Sequence, residues 1–201
     1  MDIVIAHEVG HNWLYGILGF NEREHPWMDE GINSYYENRY DETEYPGDKL
    51  MGNLASMTKN FQLEKYPHQY QYYLTYMISA SQNNDQALDQ NAANFTQLNY
   101  DAMVYTKTQT VFQYLENYLG TAEFDSVMHH FYAQWKFKHP MPADLKTIFE
   151  TETGKELDWV FNDLIETTYK LDYKILGLDD TIHIGKDVFD LVKLGTLDFY
   201  P

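Results

Sequence analysis

Two histidines four residues apart, His7 and His11, constrain this chain more than any other feature. Positions i and i+4 of an α-helix lie one above the other, so both imidazoles share one face. Glu8 sits on the same turn. Eighteen residues separate His11 from Glu30, which opens a second predicted helix. Two His and one Glu are a common zinc-ligand set that leaves a fourth coordination position for water. A second carboxylate beside that water, here Glu8, is what metal-assisted peptide hydrolysis requires. The competing reading is a helix whose two His are buried and hydrogen-bonded without metal.

Around this core the chain is patterned for helices. Residues 3–18 are apolar on nearly all sides apart from the His, Glu and Asn, which predicts a buried helix. Gly10, between the two His, would let the backbone approach a neighbour or the metal. Residues 19–28 read as a loop, and His25, held out of helix by Pro26, is a loop residue close enough in sequence to count as a further ligand candidate. Asp29 is the expected N-cap of a helix over 29–40, with Glu30 in its first turn. Glu37 lies two turns beyond Glu30 on the same face. It is either the carboxylate that takes the outer N–H of a zinc-bound His or an ordinary surface residue.

Residues 49–80 predict one or two helices broken near Pro67, with the Tyr-rich run after it as core and His68 exposed. The Asn- and Gln-rich stretch 81–100 reads as a long loop, either a cleft wall or mobile surface. Val111, Phe112, Leu115, Tyr118 and Leu119 mark a helix over 101–120. A second covers 121–138, where the adjacent His129 and His130 cannot chelate from one face and read as a solvated pair. A third starts at Asp144 and ends near Gly154, and a fourth carries Leu157, Val160, Phe161, Leu164 and Ile165. After Thr168 shorter apolar runs and Gly breaks predict strands or an irregular tail. The expected fold is mainly α, with residues 1–168 as one unit and 169–201 as a tail or the opening of a further β domain.

Composition removes other classes. A formal charge of −17 opposes nucleic-acid binding. No run of about 18 apolar residues exists to span a membrane, and the absence of cysteine rules out thiolate ligands and disulfides. The N-terminus lacks a signal-peptide pattern. Yet only six residues precede His7, although a helix that buries two ligands needs elements on both sides. The expectation is therefore the C-terminal part of a larger protein, which is compatible with export. Surface left exposed by truncation would favour self-association.

The sequence HEVGH, eighteen residues, then Glu30 within WMDEG resembles the gluzincin zinc metallopeptidases, and more narrowly the aminopeptidase N family. Tyr105-x-Lys107 followed by an amphipathic helix is similar to that family's Tyr-x-Lys-Gly segment, and ADLKTIFETETGKELDWVFNDLI to its downstream helices. The resemblance covers roughly residues 3–168. It implies the helical part of a thermolysin-like catalytic domain acting on peptides. One Zn2+ would be held by His7, His11 and Glu30, with Glu8 as general base and Tyr105 as hydrogen-bond donor to the oxyanion. Thr108 departs from the pattern, standing where the family has Gly, so the helix entry at Tyr105 is expected to differ. The family's Gly-x-Met-Glu-Asn segment, which recognises a free N-terminus, lies upstream of the zinc motif and outside this sequence. The expected activity is aminopeptidase-like. The alternatives are a gluzincin endopeptidase and an inactive helical module that binds zinc or pairs with a missing lobe.

Overall fold

The computed structural model describes residues 2–48, 66–173 and 197–200. Helix α1 spans Asp2–Leu14. A loop leads to a single wide π-helical turn, Trp27–Gly31, which runs directly into α2, Ile32–Glu44. Helix α3 spans Tyr70–Ser81. After an irregular stretch, a short helical turn α4 (Gln97–Asn99) opens a second π-helical segment, Tyr100–Lys107, which continues as α5, Thr108–Leu119. Gly120 alone joins α5 to α6, Thr121–Trp135. Helix α7 covers Pro142–Thr153, and a final π-helical segment covers Trp159–Ile165. Strands β1 (Lys170–Tyr173) and β2 (Leu197–Tyr200) pair antiparallel, with Lys170 opposite Tyr200. The expected helix over 49–80 is seen from Tyr70 onward; its part over 49–65, and residues 174–196 of the tail, lie outside the described residues. Among the described residues no helix is long and apolar enough to cross a membrane.

The helical stripes read from the sequence form the core. Phe112, Leu115, Phe124, Phe131, Leu145, Phe149, Leu157 and Val160 are all inaccessible to solvent. Phe124 stacks its edge on Phe112 and tilts against Phe149, so one ring ties α5, α6 and α7 together. Burial of such rings is the main stabilising term here, at roughly 25 cal/mol per Å² of apolar surface. Local signals set the ends. Asp144 reaches back from the third position of α7 to accept the Met141 N–H at 2.8 Å, so the helix starts two residues earlier than Asp144 itself. Gly154 takes the left-handed conformation just past its last turn (φ 64°).

Helix α2 is the pillar of the site. Its Tyr35 is fully buried between Phe112 and Phe124, and the phenol donates to Glu116 Oε2 at 3.0 Å. Arg39, one turn on, pairs both guanidinium nitrogens with Asp125 of α6. Against this pillar lies α1, held by a close approach: a Cβ on Gly10 would sit 1.9 Å from Asn33 Oδ1. Asn33 in turn donates to the His7 carbonyl at 2.7 Å.

Two expectations are corrected. Helix α1 is not buried: Val4, Ile5, Val9 and Trp13 are each about half exposed and only Leu14 is buried. The reason is that α1 packs chiefly on α2 and the turn Trp27–Gly31, which leaves these four side chains about half open. The stretch 81–100 is irregular as expected up to Thr96, with Gln97–Tyr100 already helical, and it is pinned. Leu88 is inaccessible and its N–H bonds to the Ile165 carbonyl at 2.9 Å, while Ala92 N–H bonds to Arg23 O at 2.8 Å.

Candidate active site

The i, i+4 spacing on α1 brings the rings of His7 and His11 to 4.9 Å, nearly perpendicular. Their Nε2 atoms converge on one oxygen. Glu30 Oε2 lies 3.1 Å from His7 Nε2 and 3.4 Å from His11 Nε2. The opposite ring nitrogens are also engaged. His7 Nδ1 meets Glu37 Oε2 at 2.8 Å, and His11 Nδ1 meets Asp29 Oδ1 at 2.8 Å. Each imidazole is thus oriented by a carboxylate on Nδ1 and turns Nε2 inward, the arrangement in which metal-binding His is usually found. Tyr105 completes the cluster, its ring 5.9 Å from that of His7 and its hydroxyl close enough to Glu30 for that charge to raise its pKa. Glu8 lies beside His7 on α1 and is exposed.

The electrostatics are those of an acidic pocket. Burial of His7 works against its imidazolium, but Glu30 and Glu37 outweigh it and push the pKa up to about 9. Asp29 is raised to about 6, chiefly by burial, against the pull of His11. Glu30 is held below the usual carboxylate range although burial opposes this, because His7, His11 and Tyr105 stabilise its anion. The Tyr105 phenol is pushed far up by burial and by the Glu30 charge, so it stays protonated and a donor. Three carboxylates face two imidazoles. Donor atoms of His7, His11 and Glu30 all lie within 4.8 Å of one another. Nitrogen and carboxylate donors with this spacing, oriented by outer hydrogen bonds and carrying surplus negative charge, fit a zinc ion.

Residues 1–164 match the Peptidase family M1 domain. The chain belongs to peptidase family M1. Aminopeptidase M1-B of Oryza sativa subsp. japonica is 22% identical over 154 residues, covering 76% of this chain and 16% of that protein. Leucine aminopeptidase 2 of Aspergillus clavatus is 24% identical over 170 residues, covering 78% of this chain and 25% of the other. An M1 zinc metallopeptidase from Deinococcus radiodurans has the same fold, with a TM-score of 0.61 and 18% identity over 84% of this chain and 33% of that one. The chain therefore spans about a sixth to a third of the length of these M1 relatives, and its helices correspond to the helical part of the M1 catalytic domain.

Two departures from the sequence reading concern this M1 site. Asp29 is not an N-cap: it lies inside the wide turn Trp27–Gly31, is 2% exposed, and spends its carboxylate on His11. Tyr72 of α3, read only as core, donates its hydroxyl to Glu37 Oε1 at 3.1 Å. His25 is not among the groups of the cluster; its Nδ1 bonds to Asp89 Oδ1, which also accepts from Trp27 Nε1 at 3.0 Å. His129 and His130 are exposed, His130 pairing with Glu152 at 2.9 Å. Thr108, at the position of the family's glycine, is fully buried against Gly31, where a Cβ would meet the Thr108 side chain at 2.4 Å.

Proposed function

We propose that this chain is the helical half of a zinc-dependent, aminopeptidase-like catalytic domain that hydrolyses peptide bonds. The observation that carries the reading is the convergence of His7 Nε2 and His11 Nε2 on a single Glu30 oxygen, with Glu37 and Asp29 orienting the rings from behind. His7, His11 and Glu30 would hold one Zn2+ per chain, and zinc there would supply Lewis acidity, making water acidic enough to attack near neutral pH. Glu8 is then the general base: it accepts the proton of the attacking water and returns it to the leaving amine. Tyr105, protonated at any working pH, donates to the oxyanion that develops on the substrate carbonyl. Glu37 and Asp29 keep the two rings in one tautomer and one direction. The acidic surface disfavours nucleic acid as a partner, and the match to a peptidase family and to aminopeptidases supports peptides as the substrate class.

Cleavage at a free N-terminus is favoured over internal cleavage by the names of the relatives; the site residues serve both. Comparing free-amine with N-acetylated peptides separates them, equal rates refuting the aminopeptidase reading. Zinc analysis of the purified chain tests the centre itself: about one metal at this site, lost from His7→Ala, supports it, and none after zinc addition refutes it. A second reading is carried by the half-exposed Val4, Ile5, Val9 and Trp13 on α1, in which the module acts by pairing through this apolar face. Concentration-dependent association in size-exclusion chromatography supports that reading, and a monomer at every concentration counts against it.

A further inference from the structure

We propose that Asp41, Asp48 and His68 form a second cation site, separate from the first, which binds a divalent transition ion and clamps the end of α2 to the approach to α3. Donor atoms of the three side chains lie within 4.8 Å of one another. They line one cavity of about 390 Å³, together with Glu42, Tyr45 and Gln69 among others. Asp41 is the decisive member. It is 2% exposed, and its Oδ1 is buried with no hydrogen-bond partner among the described residues. A buried carboxylate oxygen without a donor is costly, and a cation shared with Asp48 and His68 removes that cost. Asp48 is brought round by the Pro46-Gly47 turn, its N–H bonded to Tyr45 O at 2.8 Å. Two carboxylates and one imidazole, with no thiolate, suit zinc or manganese. Magnesium and calcium prefer oxygen-only shells.

The position gives the clamp a purpose. Asp41 lies one turn beyond Glu37 on α2, and His68 lies four residues before Tyr72, with their rings 6.3 Å apart. Tyr72 and Glu37 are the pair bonded across the two helices. A cation here fixes the register of α2 against α3, and with it the carboxylate behind His7. The three residues position; they touch no reacting atom. The site itself does not depend on the peptidase reading.

The test uses the full chain carrying His7→Ala and His11→Ala, which removes the first centre. After stripping with a chelator, zinc titration should give about one bound ion per chain. A hundredfold excess over Kd should raise the thermal midpoint by about 5–10 °C. Adding Asp48→Asn and His68→Gln, both away from the packed core, should abolish the bound zinc and the thermal shift while leaving the far-UV circular dichroism unchanged. No bound zinc in the first variant, undiminished binding in the second, or displacement by millimolar Mg2+, which marks diffuse attraction to an acidic surface, each overturns the proposal. In the native chain, loss of the first equivalent alone would refute the active-site reading and leave this one standing.

Discussion

The hydroxyl of Tyr72 lies 3.1 Å from Glu37 Oε1, while the other oxygen of the same carboxylate faces His7 Nδ1 at 2.8 Å. A residue on α3 thus holds the group that holds a candidate zinc ligand on α1. Removing outer partners of this kind typically costs 10–100-fold in metal affinity. Glu37→Gln should weaken zinc binding by about that factor, and Tyr72→Phe by less, since Glu37 keeps its bond to His7. Competition with a calibrated chelator reads both. Native affinity in Glu37→Gln would reduce this carboxylate to a surface residue.

The proposed division of labour separates binding from turnover. Glu8→Gln should keep the zinc held by His7, His11 and Glu30 and lose peptide hydrolysis, whereas His7→Ala should lose both that zinc and hydrolysis. Tyr105→Phe should lower kcat by roughly 10²–10³-fold, the scale for one oxyanion donor, with zinc content unchanged. Steady-state kinetics beside metal analysis decides each, and an undiminished kcat in Tyr105→Phe would return that ring to packing.

Gly31 and Thr108 are a matched pair. A methyl at Gly31 would lie 2.4 Å from the Thr108 side chain and 2.5 Å from Val104 O, so Gly31→Ala should destabilise by about 1–3 kcal/mol, the range for overpacking. Restoring the family's glycine through Thr108→Gly should recover part of that loss in the double variant, a coupling expected of residues in contact. Urea unfolding of the two singles and the double measures it, and strict additivity would show that the clash with Val104 O alone sets the cost.

Lys107 gives the fold a pH signature. Its ammonium is inaccessible, bonded to Thr167 O at 3.0 Å and 5.9 Å from the Tyr76 ring. Burial pushes its pKa down to about 8, with Lys170 acting in the same sense and Asp85 against it. The unfolded chain holds this proton up to about pH 10.5, so between pH 8 and 10.5 it binds more protons than the folded one, and stability from this group rises with pH. Below pH 8 both states are protonated and the burial cost is present in full. The stability of the native chain relative to Lys107→Met should therefore improve by about 1–3 kcal/mol from pH 8 to 10.5. A flat difference in chemical denaturation across that range would contradict the depressed pKa.

Local spacing made much of this legible. His7 and His11 share a face by helical geometry alone, and Val111, Phe112 and Leu115 announce their burial by period. What escaped was non-local or irregular. Asp29 and Glu30 are neighbours, and on a regular helix adjacent side chains diverge by about 100°; Asp29 was read as an N-cap, yet both carboxylates meet His11. The wide turn advances less per residue and delivers both. Tyr72 is 35 residues from Glu37, a distance no periodicity spans. The exposure of α1 escaped because an all-round apolar helix states a preference for burial without naming what buries it.

Glu30 and Tyr105 each sit inside a wide helical turn rather than a regular one. Such a turn carries more residues per revolution than the α-helix it joins. Removing a single residue from either would let ordinary helix take over, leaving the flanking helix nearly in phase but taking away the local spacing that brings Glu30 or Tyr105 to its partners. The chain would then be far less tolerant of one-residue deletions in 27–31 or 100–107 than of substitutions there. A shortened segment would keep its hydrogen-bonded backbone and its core while turning Glu30 or Tyr105 away from its partners, so alignment gaps in these two stretches would mark chains that fold without assembling this cluster.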